Sequence, residues 1–257
     1  MNRVERGKAR VLLVGVGGLG CPAALALAEA GLGAIGLCDD DVVDRSNLHR
    51  QILFGVADVG ARKVEAAARA LEPRLARASR GSGSIPELHL HAERLAPADA
   101  VALVRGYDLI LEGSDNFATK FLAADACSLA GVPVVHASAV RWVGTVLAVG
   151  PGGHPCYRCL FEDRLGEDAP NCATAGILGP VAGVVAACQV DLGLRLLAGE
   201  SVEGQLVTFD GRTDVLRRRA IARRPDCPLC GRAQGPRIDR IDPDRYLSPM
   251  FRPAVAG

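Results

Sequence analysis

The chain has 257 residues, enough for one sizeable α/β domain with a full core. Lys plus Arg (30) nearly balance Asp plus Glu (29), and the net charge of +1 offers no general attraction to nucleic acid or anionic lipid. Nucleic-acid and membrane partners are therefore not expected, and any anion must be held by a local site.

The N-terminal stretch "MNRVERGKARVLLVGVGG" is basic and then apolar, but its glycines break the run and open a βαβ pattern, so it reads as a first strand and not as a leader. That strand covers Arg10 to Val16, and a helix comes next over Leu19 to Ala30 with Pro22 in its first turn, where a missing N–H costs nothing. A second strand is expected at Ala34 to Asp39, then a helix from Ala57 to Leu71 stopped by Pro73. A Gly/Ser loop leads to Glu87–Glu93, where Leu88, Leu90 and Ala92 alternate with His89, His91 and Glu93 as in an edge strand with one wet face and solvent-facing histidines. Helix (97–105), strand (107–115), helix (116–130) and strand (132–139) continue the alternation, which predicts a doubly wound, Rossmann-like, mostly parallel sheet. From Arg141 the connections shorten: "RWVGTVLAVG", "QLVTFD" and "DVLRRRAIA" predict antiparallel strands in the C-terminal part, around a long helix from Gly179 to Leu197. That helix carries Gly179, Pro180, Gln189, Asp191 and Arg195, so no clean apolar span of about 18 residues exists and a soluble cytoplasmic protein is expected. Residues 1–231 form one predicted domain; 232–257 lack periodicity and read as a loose tail.

"GVGGLG" places Gly15, Gly17, Gly18 and Gly20 between a strand and a helix, and Asp39 closes the next strand about 20 residues on. Glycines let backbone approach phosphate, the helix N-terminus faces negative charge, and the acid accepts from ribose hydroxyls. This pattern alone says adenine nucleotide. The residues beyond Asp39 favour a reacting triphosphate over NAD, because Asn47, Arg50, Gln51 and then Lys63 gather donors and positive charge where a leaving pyrophosphate would need them. Asp115 in "EGSDNFATK" lies just past a strand's carboxyl end, where it could hold Mg²⁺ or, with Asn116, simply cap the next helix.

The chain has nine cysteines, an odd number that argues against a disulfide framework. "CYRC" (Cys156, Cys159) and "CPLC" (Cys227, Cys230) are two C-x-x-C pairs, which match a four-thiolate structural zinc site clipping distant segments together; a redox C-x-x-C is the rival. Cys172, on a loop before the long helix, and Cys21, in a helix first turn, each have a setting that can lower a thiol pKa, whereas Cys38, Cys127 and Cys188 read as core.

Taken as a set, "GVGGLG", "DDDVVDRSNLHRQ", "ARK", "SDNFATK", "CYRCLF", "NCATAGILGP" and "CPLCG" resemble the MoeB/ThiF/HesA family, bacterial relatives of ubiquitin-activating enzymes, from about Arg10 to Gly231. The resemblance implies that the glycine turn with Asp39 and Asp41 binds the nucleotide, that Asn47, Arg50, Gln51 and Lys63 bind ATP phosphates, that Asp115 holds Mg²⁺ and that the four paired cysteines bind Zn²⁺. It implies adenylation of the C-terminal glycine carboxylate of a small ubiquitin-like sulfur carrier, with Arg50, Lys63, Asp115 and Cys172 as catalytic residues. A homodimer and a sulfurtransferase or cysteine desulfurase are the further partners it suggests. Arg3, Arg6 or Arg10 would stand in for an arginine that the family lends across a dimer, and Lys120 stands where arginine is common. Adenylation of a peptide or tRNA-linked carboxylate, or a non-catalytic nucleotide-binding scaffold, are the alternatives.

Overall fold

The computed structural model describes residues 4–82, 85–161, 176–233 and 237–246. Its elements, in chain order, are β1 (Arg10–Val14), α1 (Gly20–Ala28), β2 (Ala34–Cys38), α2 (Lys63–Ser82), β3 (Glu87–His91), α3 (Ala100–Arg105), β4 (Leu109–Glu112), α4 (Phe117–Ala130), β5 (Val134–Val140), β6 (Val143–Val149), α5 (Tyr157–Leu160), α6 (Gly179–Leu197), β7 (Gln205–Asp210) and β8 (Val215–Ala220). They build one eight-stranded sheet in the order β3-β2-β1-β4-β5-β6-β7-β8. β3 to β5 pair in parallel and β5 to β8 antiparallel; short connections account for β5–β6 and β7–β8, whereas β6 and β7 pair antiparallel across the segment that holds α6.

The uninterrupted apolar runs of β1, β2 and β4 result from burial on both faces. Along β1, Val11 and Leu13 enter the core beneath α1, α2 and α6, while Leu12 and Val14 enter the core beneath α3 and α4. The strand order reverses between β1 and β4, so the loops leaving their carboxyl ends part and open a crevice. α6 is long and apolar enough to cross a membrane by length and composition, yet 56% of that window is buried in the fold. Its Gln189 Nε2 donates to the carbonyls of Glu112 (2.9 Å) and Val135 (2.8 Å), tying the helix across β4 and β5.

Three expectations change. α2 begins at Lys63, after a 3₁₀ turn at Val56–Asp58, and runs through Pro73 to Ser82. Pro73 sits on the exposed side, and what lies past it outweighs its cost: Leu75 is buried, and Arg74 and Arg77 pair with Glu29 at 3.2 and 2.7 Å. β3 is an edge strand without a clean wet face, because Leu90 is exposed and His91 is half-buried, its Nε2 2.8 Å from Tyr107 Oη. Tyr107 reaches His91 by crossing the bare backbone of Gly36, where a Cβ would strike its ring.

The segment after Arg232 is also not loose where it is described. Ile238 packs on the cysteine pairs, and the 3₁₀ turn Pro243–Tyr246 buries Tyr246. Tyr246 Oη donates to Asp125 Oδ2 at 2.7 Å, and Arg158 donates twice to the same carboxylate, both at 2.7 Å. Replacing Tyr246 by Phe should lower unfolding free energy by about 2 kcal/mol, the worth of a hydrogen bond to a charged group. Urea unfolding measures this, and a variant as stable as its parent would show that the hydroxyl does not hold the segment.

Candidate active site

The turn after β1 approaches β4 so closely that side chains are excluded. Gly15 has φ +89°, and a Cβ there would lie 3.0 Å from the Ser114 nitrogen. Gly20 is inside α1, where a Cβ would strike the Gly15 carbonyl oxygen, so it lets the helix seat on the turn and does not line the crevice. Gly17 and Gly18 do line it, and the position of a Cβ on Gly18 is 3.4 Å from Cγ and Cδ of Arg50.

The acidic run leaves β2 and folds back under this turn. Asp39 accepts from the Val16 N–H (2.7 Å) through Oδ2 and from the Asp41 N–H (2.9 Å) through Oδ1. Burial raises its pKa, and the two N–H donors and Lys63 only partly oppose the rise. Lys63, the first residue of α2, is buried and reaches Asp41 Oδ2 at 2.6 Å and Asp39 Oδ1 at 3.8 Å. Asn47 contributes through its backbone: its carbonyl accepts from the N–H groups of Arg50 and Gln51, both at 3.1 Å, forming the turn that aims those side chains inward. Gln51 is buried beside the glycines, and its Oε1 has no hydrogen-bond partner among the described residues. The glycine turn and the helix start that follows it suit a bound anion, and the Gln51 oxygen, an acceptor, suits a donor group on the same ligand.

Across the crevice, Asn116 takes the capping role, its Oδ1 accepting from the Thr119 N–H at 2.8 Å. Asp115 is therefore free of that duty and stands exposed on the lining. Its loop is held from beneath by Glu112, the last residue of β4, which is fully buried. Glu112 Oε1 accepts from the Ser114 N–H (2.7 Å) and hydroxyl; Oε2 accepts from Lys120 Nζ (2.8 Å) and His136 Nδ1 (3.1 Å). Lys120 also donates to the Ala137 carbonyl at 2.6 Å. Burial alone would raise the Glu112 pKa, but Lys120 and His136 outweigh it and bring it down to about 2. Burial lowers the pKa of His136, and beside an ionised carboxylate its Nδ1–H is the donor.

The crevice thus unites Gly15, Gly17, Gly18, Asp39, Asp41, Arg50, Gln51, Lys63 and Asp115. Gly20 and the Asn47 side chain stand outside its lining, and Cys172 lies outside the described residues. Arg94, paired with Asp40 at 3.2 Å, and Leu95 also line it; sequence reading placed neither. Glu112 was missed as well, although a carboxylate closing a run as apolar as "LILE" is a signal of a buried partner. Cys21 is no nucleophile, since burial pushes its thiol up to about 12. Cys38 and Cys127 are core as expected, and Cys188 is partly buried at the edge of the core against which it packs.

Beyond the far end of β6, the two C-x-x-C pairs meet. Sulfur atoms of Cys156 and Cys227 are 3.5 Å apart, of Cys159 and Cys230 3.3 Å, and of Cys156 and Cys159 3.8 Å, though each pair across the clip is separated by 71 residues in the chain. All four lie within 4.8 Å of one another, and the Arg224 N–H points at Cys159 Sγ from 3.4 Å. This is a closed all-sulfur set with a backbone donor to one sulfur, the arrangement of a tetrahedral thiophilic metal site.

Removing Lys120's charge (Lys120→Met) should destabilise the fold by about 3–5 kcal/mol by leaving Glu112 buried with less compensation, read by denaturant unfolding at pH 7. Glu112, with its folded pKa depressed to about 2 from an ordinary 4.5, adds stability that is complete above pH 4.5 and lost as pH falls through 2. His136 acts in the same direction, since the unfolded chain takes up its proton first as pH drops below 6.5. In Glu112→Gln, unfolding midpoints should fall less steeply between pH 4.5 and 3 than in the parent; parallel slopes would refute the assignment.

A model described as the ThiF family matches residues 4–229 of the chain. The chain is 46% identical over 227 residues to the adenylyltransferase and sulfurtransferase MOCS3 of Sus scrofa, a match covering 87% of this chain and 48% of that protein. It is 36% identical over 236 residues to the SAMP-activating enzyme E1 of Haloferax volcanii, covering 91% and 84%. The chain therefore spans about half the length of the MOCS3 relatives and most of the archaeal one. Among solved structures, E. coli MccB with MccA-N7isoASN superposes with a TM-score of 0.74 over 88% of this chain and 68% of that one; at 24% identity the likeness speaks for the fold alone. On the extent of the family match and the near full-length archaeal relative, the chain belongs to the ThiF family.

Proposed function

We propose that the chain is an ATP-dependent adenylyltransferase that activates the C-terminal glycine carboxylate of a small ubiquitin-like sulfur carrier. The observation that carries this reading is the convergence of bare glycine backbone, Asp39, Arg50, Gln51, Lys63 and Asp115 in one crevice at the point where the strand order reverses. The names of its relatives, adenylyltransferases and a SAMP-activating enzyme, point the same way.

In this reading Asp39 accepts from the ribose hydroxyls, and the N–H groups of the glycine turn and the N-terminus of α1 face the phosphates. Arg50, Gln51 and Lys63 hold the phosphate end, and the carbonyl of Asn47 keeps the first two in place. Asp115 binds Mg²⁺, which supplies neutralisation of the phosphate oxygens. The carrier's carboxylate, already ionised at neutral pH, attacks the α-phosphorus; a new C–O–P linkage forms as the bond to pyrophosphate breaks, and the departing electron pair goes to pyrophosphate. No side-chain base is required, so Arg50 and Lys63 act by placing positive charge where negative charge develops. A sulfurtransferase or cysteine desulfurase would then supply a persulfide whose sulfur attacks the acyl carbon, forming a C–S bond as the C–O bond to AMP breaks and AMP leaves with the electron pair; Cys172 is the candidate thiol on this chain. A homodimer would provide the arginine that reaches across.

The four cysteines would hold Zn²⁺. At a Zn–S bond of about 2.3 Å the edge of a sulfur tetrahedron is about 3.8 Å, close to the separations of 3.3 to 3.8 Å here. With no position left open, such an ion is a clip and takes no part in the reaction.

With ATP, Mg²⁺ and carriers ending in Gly-Gly, the protein should exchange labelled pyrophosphate into ATP only when a carrier with a free carboxylate is present. Silence across a broad panel of carriers would sink the assignment. Arg50→Ala and Lys63→Ala should each reduce exchange by about 100-fold or more, with unfolding midpoints unchanged for Arg50→Ala. Elemental analysis should find one zinc per chain, and Cys227→Ser should lose both that metal and several degrees of thermal stability; full retention of zinc by the variant would refute the four-sulfur site.

A further inference from the structure

The two residues enclosed by the first cysteine pair, Tyr157 and Arg158, are both buried, and both point away from the sulfurs into the sheet and helix layers. The Tyr157 ring packs on His136 with centroids 4.6 Å apart and on Phe121 of α4 at 5.2 Å. His136 donates to Glu112 Oε2, and the other oxygen of that carboxylate holds Ser114, the neighbour of Asp115. A continuous line of contacts, through buried Tyr157, His136 and Glu112 to the half-buried Ser114, therefore runs from the clip to the loop on the crevice. Arg158 makes a second strut: its two bonds to Asp125 fix α4, whose N-cap Asn116 comes directly after Asp115.

We propose that the metal clip positions the Asp115 loop through Tyr157 and His136, so that the state of the four cysteines sets how well the crevice takes up Mg²⁺ with its nucleotide. The inference rests on the nucleotide and zinc readings of the proposed function. A bound metal fixes the spacing of Cys156 and Cys159, and hence the backbone on which Tyr157 and Arg158 stand. Close-packed interiors transmit such a constraint, and Tyr157, His136 and Glu112 along the line are buried. Glu112 is the relay: it accepts simultaneously from the clip side through His136 and from the loop side through Ser114, and Lys120 neutralises it without adding reach toward either. Tyr157 and His136 do not line the crevice and are positioning residues, not catalytic ones.

The test uses direct titration of the full-length zinc-loaded protein with ATP, with and without Mg²⁺. Mg²⁺-free ATP reports the glycine turn, Arg50 and Lys63; the gain in affinity on adding Mg²⁺ reports Asp115. Tyr157→Leu should retain one zinc per chain and bind Mg²⁺-free ATP as the parent does, yet bind Mg²⁺-ATP about five-fold more weakly. Tyr157→Phe, which keeps the ring, should restore the parent value. His136→Phe, which keeps the ring contact and removes the donor to Glu112, should reproduce the loss. Stripping zinc from the parent with a chelator, with folding followed by circular dichroism, should erase the same Mg²⁺ gain. Unchanged Mg²⁺-ATP affinity in Tyr157→Leu, or equal weakening with and without Mg²⁺, overturns the coupling while leaving the nucleotide reading intact. A parent protein that binds no ATP in either condition overturns that reading and the coupling with it.

Discussion

A carboxylate with no access to water sits at the centre of this fold. Glu112 closes β4 in the middle of the sheet, where a charge survives only if every oxygen lone pair aimed at the protein meets a donor. Four groups from three elements meet that demand: the N–H and hydroxyl of Ser114 in its own loop, Lys120 on α4 and His136 on β5. The result is a carboxylate that stays ionised down to about pH 2 and a fixed start for the loop bearing Asp115. An apolar residue in its place would be compatible with the strand but would leave Lys120 without a counter-charge and the Ser114 N–H unsatisfied. The arrangement thus ties the start of that loop to the middle of the sheet.

The sheet divides its labour around that point. On the parallel side, the common direction of the strands places every carboxyl end on one rim, so the glycine turn, the acidic run and the Asp115 loop arrive together. On the antiparallel side, β5–β6 and β7–β8 are tight hairpins, while the chain leaves β6 through the first cysteine pair and α6 before it returns as β7. α6 joins the halves, packing on β4, β5 and β6 and bonding through Gln189 to the carbonyl of Glu112 itself.

Much of this was legible in residue order, and the reasons are local. A glycine turn between a strand and a helix, and thiols at C-x-x-C spacing, announce themselves within a few positions, since backbone sterics and metal geometry act over that range. The parallel-to-antiparallel change was readable from connection length at β5–β6 and β7–β8. What could not be read depended on distant partners. Pro73 looks like a helix stop until Leu75 and Glu29 are known to hold the turns beyond it; Tyr246 looks like tail until Asp125 is found beneath it. In the site, the nucleotide-side residues were recognised by type and spacing, but the assignment of the cap to Asn116, which frees Asp115, and the backbone role of Asn47 needed coordinates. Glu112 and His136 face each other only because β4 and β5 pair in one register.

Cys227, Cys230 and Tyr246 come last among the residues that brace the interior, and their partners Cys156, Cys159 and Asp125 were made long before. During synthesis the glycine turn, the acidic run and Lys63 can assemble on the parallel strands while the clip is still half made. By then Glu112 already has Ser114, Lys120 and His136 for partners, so what waits for the later residues is the clip itself and the hold of Tyr246 on Asp125.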